Sequence, residues 1–142
     1  MKHKHPYRVL VCDNLALARL QVQQALENTS EFHLVGQAAG AHDSIARAIE
    51  LKPDLVLLDV CTPDLDGAEA TRQILLGAPE IKILAYSADC CWDKVDRMLA
   101  AGACGYVVKS PDSDELVRAA RTVLAGGHYL SLALMQPAAF SD

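Results

Sequence analysis

The chain has 142 residues and a mass of 15.3 kDa, which suits one domain of common size with enough residues for a hydrophobic core. Half of the residues are apolar (51%), but no apolar run reaches the roughly 18 residues that a membrane-spanning helix needs. The formal net charge of −5 and the pI near 5.4 argue against nucleic-acid contacts by this chain itself, since phosphate binding needs a basic face.

Short apolar strands alternate with amphipathic helical segments along the chain. The predicted strands are RVLVCD (8–13), FHLVGQAA (32–39), DLVLLD (54–59), IKILAYS (81–87) and GYVVK (105–109). Apolar residues at helical spacing follow each strand, as Leu15, Ala18 and Val22 follow the first. Five nearly all-apolar strands separated by helices indicate a parallel sheet that is covered on both faces, hence the α/β class. The expected architecture is a flavodoxin-like three-layer sandwich whose five strands lie in the order 2-1-3-4-5.

The ends of the chain set the predicted domain boundary. The start, MKHKHPYRVL, lacks the long apolar segment of a secretion signal, so we expect a cytoplasmic protein without a membrane partner. Near the other end, Asp112 and Glu115 suit a capping box for the last helix, and Gly126-Gly127 suits its stop. We therefore assign residues 1–130 to the domain and residues 131–142 to a tail or the start of a linker.

Polar residues follow the apolar strands where those strands end. Asp13 ends the first strand, Asp59 the third, Ser87 the fourth and Lys109 the fifth. In a 2-1-3-4-5 sheet, ligands bind at the carboxyl ends of the strands near the point where strand order reverses. These side chains, distant in sequence, are therefore expected to meet in one shallow site.

The motifs at these strand ends resemble a known family. LVCDN, LVLLDVCTPDLDG, ILAYSA and GYVVKS, in this order and spacing, look like the response-regulator receiver domain of two-component signalling. The resemblance covers about residues 7–130. The segment KSPDSDELVRAARTVLAGGHYLS is similar to the last part of receivers in the NarL/LuxR subfamily of transcription factors.

The resemblance implies roles for the strand-end residues in phosphoryl transfer. Asp59 would accept a phosphoryl group from a sensor histidine kinase. Lys109 would pair with a phosphoryl oxygen, and the Ser87 hydroxyl would bind another. Tyr106 matches the aromatic switch residue, whose inward or outward pose reports that Ser87 contact. Such a domain phosphorylates itself and turns over no external substrate, so it is not an enzyme in the usual sense.

The resemblance also implies a Mg²⁺ cofactor. Asp13, Asp59 and the backbone carbonyl of Cys61 would hold the ion, which prefers oxygen ligands. Asn14 departs from the family, because receivers usually have a second acidic residue at that position. An amide oxygen still coordinates Mg²⁺, but the lower charge predicts weaker binding. Asn14 also suits the N-cap of the first helix, and an alternative is a pseudo-receiver that acts without phosphorylation as an interaction or dimerisation module.

The resemblance implies an output by protein contact. Receivers of this kind commonly dimerise through the fourth helix, fifth strand and fifth helix, so a homodimer through that face is expected. A DNA-binding module follows the receiver in the NarL/LuxR subfamily, so DNA contact and transcription control would depend on such a C-terminal module. Two other classes fit poorly: CDNLALA lacks the glycines of a dinucleotide-binding turn, and Cys61 stands where a haloacid-dehalogenase-type hydrolase needs an acid.

Overall fold

A parallel sheet with helices on both faces makes up the molecule, and the computed structural model describes residues 5–135. Its elements are β1 (Tyr7–Cys12), α1 (Ala16–Glu27), β2 (Phe32–Ala38), α2 (Ala41–Leu51), β3 (Leu55–Leu58), α3 (Gly67–Gly77), β4 (Lys82–Ser87), α4 (Trp92–Ala101), β5 (Gly105–Val108), α5 (Ser113–Leu124), β6 (Tyr129–Leu130) and a 3₁₀ helix (Leu132–Met135). The strand order is β2-β1-β3-β4-β5-β6, and every pair is parallel. The α/β class and the 2-1-3-4-5 order are confirmed. None of the described helices is both long enough and apolar enough to cross a membrane.

In the described part of the chain the sheet has six strands, where the sequence predicts five. The additional strand, β6, is only two residues long, so it carries no periodic signal of its own. It pairs because Gly105 has no side chain: a Cβ on Gly105 would lie 2.4 Å from the carbonyl oxygen of Tyr129. Beyond the proposed boundary at residue 130, Ser131 and Leu134 are buried, so packing continues into the segment assigned to a tail or linker.

Alternate residues of each strand supply two separate apolar layers. On β1, Val9 and Val11 belong to the layer that includes buried residues of α1 and α5. Leu10 and Cys12 belong to the opposite layer, with buried residues of α2, α3 and α4. All four side chains are at most 1% exposed. Because both faces are covered, the polar residues that follow the strands are confined to the edge at the carboxyl ends.

Aspartates begin two of the helices next to that edge. Asp66 caps α3 by accepting a hydrogen bond from the backbone N–H of Ala68 at 3.5 Å. Asp112 caps α5 in the same way, accepting from the N–H of Asp114 at 3.0 Å. The other half of the suggested capping box is not formed, because Glu115 accepts a hydrogen bond from the hydroxyl of Tyr129 instead. This bond ties α5 to β6.

Candidate functional site

The carboxyl ends of four strands bring the predicted site residues to one edge of the sheet. Asp13, Asp59 and Ser87 are buried there, 3%, 7% and 1% exposed. The backbone N–H of Asp59 donates to the carbonyl of Cys12 on β1 at 2.9 Å, and the N–H of Lys109 donates to the carbonyl of Ser87 on β4 at 2.8 Å. Backbone pairing therefore fixes the acceptor candidate and the lysine beside residues from neighbouring strands.

Asp13 and Lys109 form the most buried ion pair of the site. Lys109 Nζ lies 2.5 Å from Asp13 Oδ2, and the other carboxylate oxygen accepts from the N–H of Leu15 at 3.0 Å. Arg19 Nη1 donates to the backbone carbonyl of Asp13 at 2.6 Å. The Lys109 ammonium also lies 5.7 Å from the centre of the Tyr86 ring. These contacts fix the position of Asp13 and give its charge a direct partner.

Among residues 5–135, no cation lies as close to Asp59 as Lys109 does to Asp13. One of its oxygens accepts a hydrogen bond from the N–H of Cys61 at 3.2 Å. Burial raises the pKa of Asp59, and the nearby charge of Asp13 raises it further, while the Cys61 N–H and Lys109 act in the opposite direction. The ionised carboxylate is therefore poorly solvated, and it would gain from a positively charged ligand.

The loop after Asp59 is held tightly against α3. A Cβ on Gly67, the first residue of α3, would lie 2.7 Å from the Cα of Val60, so no larger residue fits without moving the loop. The side chain of Cys61 in the same loop is exposed. The backbone next to Asp59 is thus sterically constrained, while the side chain of Cys61 is exposed.

The donor set beside Asp59 suits a hard divalent cation. The carboxylates of Asp13 and Asp59 and the carbonyl of Cys61 are oxygen donors of the kind that Mg²⁺ prefers. Burial and the charge of Asp13 raise the pKa of Asp59, so a cation bound beside Asp59 would stabilise its ionised carboxylate. The residues therefore fit a magnesium site.

Among the residues that it describes, the structure gives no contact that assigns Asn14 a role in this site. It is exposed, and Leu15, not Asn14, is the N-cap residue of α1, without a side-chain cap bond. Within residues 5–135 no three His, Cys, Asp or Glu side chains form a metal-binding group. The predicted weakness of the metal site, with two charged ligands, stays a prediction.

The two switch candidates both contact the loop between β4 and α4. Ser87 Oγ accepts a hydrogen bond from the N–H of Asp89 at 3.1 Å. Tyr106 is fully buried, and its hydroxyl donates to the carbonyl of Asp89 at 2.6 Å. Burial also raises the pKa of Tyr106. Of the two poses expected for this switch candidate, Tyr106 therefore has the inward one in the unmodified chain.

Three polar residues near the site, Lys94, Asp64 and Asp66, make contacts that the sequence did not predict. Lys94 on α4 bridges the two loops, with Nζ 2.6 Å from Asp89 and 3.3 Å from the sulfur of Cys61, and these two bonds raise the pKa of Lys94. Asp64 accepts from the first N–H groups of α2, at Ala41 and at its neighbour, at 2.9 and 3.0 Å, which lowers the pKa of Asp64. Asp66 is paired with Arg97. The partners of both aspartates are 22 to 31 positions away in the chain, so no local sequence pattern indicates these contacts.

Comparisons with known proteins agree on one family. The model of the response regulator receiver domain matches residues 9–121. The response regulator GacA of Pseudomonas viridiflava is 41% identical over 136 residues, which are 95% of this chain and 63% of GacA. The response regulator protein VraR of Staphylococcus aureus is 35% identical over 119 residues, 84% of this chain and 57% of VraR. The chain thus spans about three fifths of the length of these relatives.

Two solved structures resemble the chain over most of its length. A two-component response regulator of the LuxR family from Aurantimonas sp. SI85-9A1 superposes with a TM-score of 0.87 at 30% identity, covering 96% of this chain and 97% of that one. The signal receiver domain of the putative response regulator NarL from Mycobacterium tuberculosis gives a TM-score of 0.82 at 28% identity, with coverages of 86% and 98%.

Proposed function

The chain belongs to the response regulator receiver family, and we propose that its Asp59 accepts a phosphoryl group from a sensor histidine kinase. The observation that supports this most directly is the placement of Asp59: a buried carboxylate beside Asp13, with the Asp13–Lys109 ion pair at the same edge of the sheet. The relatives of the chain are response regulators, and its structural neighbours include response regulators of the LuxR and NarL type.

The proposed reaction is a simple displacement at phosphorus. A carboxylate oxygen of Asp59 forms a bond to phosphorus while the bond to the kinase histidine nitrogen breaks, and the departing imidazole keeps the electron pair. Bound by Asp13, Asp59 and the carbonyl of Cys61, Mg²⁺ would supply positive charge where two anions must approach each other. Lys109 would give a charge-assisted hydrogen bond to a phosphoryl oxygen, and the Ser87 hydroxyl would donate another.

The proposed output starts from the charge that the phosphoryl group adds, about −1.5 to −2 at neutral pH. This charge competes with Asp13 for Lys109 and attracts the hydroxyl of Ser87. Because Ser87 Oγ now accepts from the N–H of Asp89, its reorientation would disturb the β4–α4 loop. The signal would then reach the face made by α4, β5 and α5, which we propose as the homodimer surface. Contact with DNA would depend on a further module.

Mass spectrometry of the intact chain tests the proposal. The chain is incubated with Mg²⁺ and acetyl phosphate beside Asp59→Asn and Asp64→Asn, where the second variant changes an aspartate of the same loop but keeps an oxygen to cap α2. We expect one phosphoryl group on the parent and on Asp64→Asn, and none on Asp59→Asn. Addition to Asp59→Asn, or none to the parent while a known active receiver is labelled in the same buffer, would refute it.

Asn14 supports a second candidate, a pseudo-receiver that serves as an interaction or dimerisation module without phosphorylation. The Asn14 amide has no charge, so the proposed metal site has two charged ligands, Asp13 and Asp59, and Lys109 is engaged with Asp13. An unlabelled parent in the same experiment would favour this candidate. The search would then turn to partners that bind the unmodified fold.

A further inference from the structure

Residues Tyr129–Met135, which we call the strap, lie along β5 and reach the start of α4. The strap consists of β6, Ser131 and the 3₁₀ helix. It touches all three elements of the proposed output face: it pairs with β5, it binds α4, and the hydroxyl of Tyr129 donates to Glu115 on α5 at 3.0 Å. This part of the chain had no predicted function.

On β5, the strap binds the strand that carries Tyr106. The N–H of Ser131 donates to the carbonyl of Tyr106 at 3.0 Å, and Ser131 Oγ accepts from the N–H of Val108 at 2.9 Å. Ser131 is fully buried. The N–H of Tyr129 donates to the carbonyl of Cys104 at 3.2 Å. Since a buried hydroxyl needs its hydrogen bonds, Ser131 fixes the strap in one register on β5.

On α4, the strap is held by an apolar side chain and by the sole tryptophan of the chain. Leu134 is 3% exposed and lies in the same apolar cluster as Val95, Met98 and Tyr106. Trp92 Nε1 donates to the backbone carbonyl of Leu134 at 3.0 Å. The last described turn of the chain is therefore attached at the point where α4 begins.

The contacts close a ring around Tyr106. Its carbonyl accepts from Ser131 of the strap, and its hydroxyl donates to the carbonyl of Asp89 in the β4–α4 loop. The Asp89 side chain accepts from the N–H of Cys91 at 2.9 Å, immediately before Trp92, which returns to the strap at Leu134. A displacement of the β4–α4 loop thus acts on the strap from two directions.

We propose that docking of the strap is energetically coupled to the inward pose of Tyr106 and to the position of the β4–α4 loop. A change in the pose of Tyr106 or in the position of the β4–α4 loop loosens the strap. Release of the strap in turn frees Tyr106, because a coupling free energy is reciprocal. The strap then passes a change in this loop to the chain that follows Met135. That a phosphoryl group on Asp59 triggers the change depends on the proposed function, whereas the coupling itself belongs to the unmodified fold.

Hydrogen exchange in the unmodified chain measures the coupling from the switch side. Tyr106→Phe removes the hydroxyl that binds Asp89 and keeps the ring, while Tyr86→Phe is the matched control on β4. We expect the amides of Ser131 and Leu134 to exchange about threefold to tenfold faster in Tyr106→Phe, the range that one lost hydrogen bond gives, and at the parent rate in the control. The amide of Leu57 in β3 serves as the reference for global unfolding.

Trp92→Phe measures the coupling from the strap side, since it removes the bond to the Leu134 carbonyl. With fluorotyrosine in the chain, we expect the fluorine resonance of residue 106 to shift and broaden, while that of residue 86 stays. If the strap amides exchange at the parent rate in Tyr106→Phe, or the strap loosens in Trp92→Phe with an unchanged residue 106 resonance, the coupling does not exist. No phosphoryl donor is present, so either outcome is independent of phosphorylation at Asp59.

Discussion

Lys109 compensates a buried carboxylate, and its replacement by methionine tests how far the site depends on that pair. Lys109 Nζ lies 2.5 Å from Asp13 Oδ2, and the side chains are 19% and 3% exposed. Removing one partner of a buried pair costs about 3 to 5 kcal/mol, because the other charge stays buried without compensation. Because Lys109 is partly exposed, we expect the lower end, about 3 kcal/mol, for Lys109→Met.

This free energy corresponds to a large change in melting temperature. With an unfolding entropy of about 2.1 cal/mol/K per residue, a chain of 142 residues has about 0.3 kcal/mol/K, so the Tm should fall by about 10 °C. Thermal unfolding followed by circular dichroism at neutral pH measures it. Lys82→Met is the control, because Lys82 is the first residue of β4 and so lies at the end of the strand away from the site. We expect Lys82→Met to change the free energy of unfolding by less than about 0.5 kcal/mol.

A double-mutant cycle identifies the source of the loss. Asp13→Asn removes the carboxylate charge at nearly constant shape, so the double variant has no uncompensated charge at residue 13. We expect the double variant to be more stable than Lys109→Met, although it carries one more substitution. If the two substitutions are instead additive, so that the double variant melts lower than either single variant, the ion pair is not what makes Lys109 important for stability.

Two further changes probe the acidic residues of the site. Burial raises the pKa of Asp59 above its ordinary 3.8, so the folded chain binds a proton more readily than the unfolded chain. The folded state therefore loses stability as the pH rises from 3.8 through the raised pKa of Asp59. Asp59→Asn should thus unfold at higher urea concentration than the parent at pH 7, with the advantage shrinking as pH approaches 3.8; an advantage independent of pH would contradict the reasoning. Asn14→Asp should tighten Mg²⁺ binding by adding a charged oxygen, as titrated through Trp92 fluorescence, with Asn28→Asp as the control. Unchanged affinity in Asn14→Asp would mean that residue 14 does not reach the ion.

The sequence predicts those features of the site that depend on strand order alone. Asp13, Asp59, Ser87 and Lys109 lie at one edge because carboxyl ends of parallel strands share an edge. Their contacts are a different matter. That Lys109 pairs with Asp13, leaving Asp59 without a close cation, depends on side-chain geometry and burial, which no motif encodes.

The missed features depend on contacts between residues distant in sequence. Trp92 had no predicted role, yet its indole binds the carbonyl of a residue 42 positions later. Asp64 fits a turn by its residue type, but it caps a helix 22 and 23 positions earlier. The strand β6 forms only because Gly105 permits close approach of Tyr129. Propensity and periodicity describe neighbours in the chain, so they predict elements better than such contacts.

The span of the Asp13–Lys109 pair has a consequence for protein synthesis. The two residues are 96 positions apart, and Lys109 follows the last of the five longer strands. Since the N-terminus of a chain is synthesised first, Asp13 and Asp59 leave the ribosome well before Lys109. An incomplete chain therefore has an uncompensated acidic pair and an unfinished sheet edge. Only a chain translated past β5 contains both residues of the pair, so a product truncated before Lys109 lacks the Asp13–Lys109 contact at the carboxyl edge of the sheet.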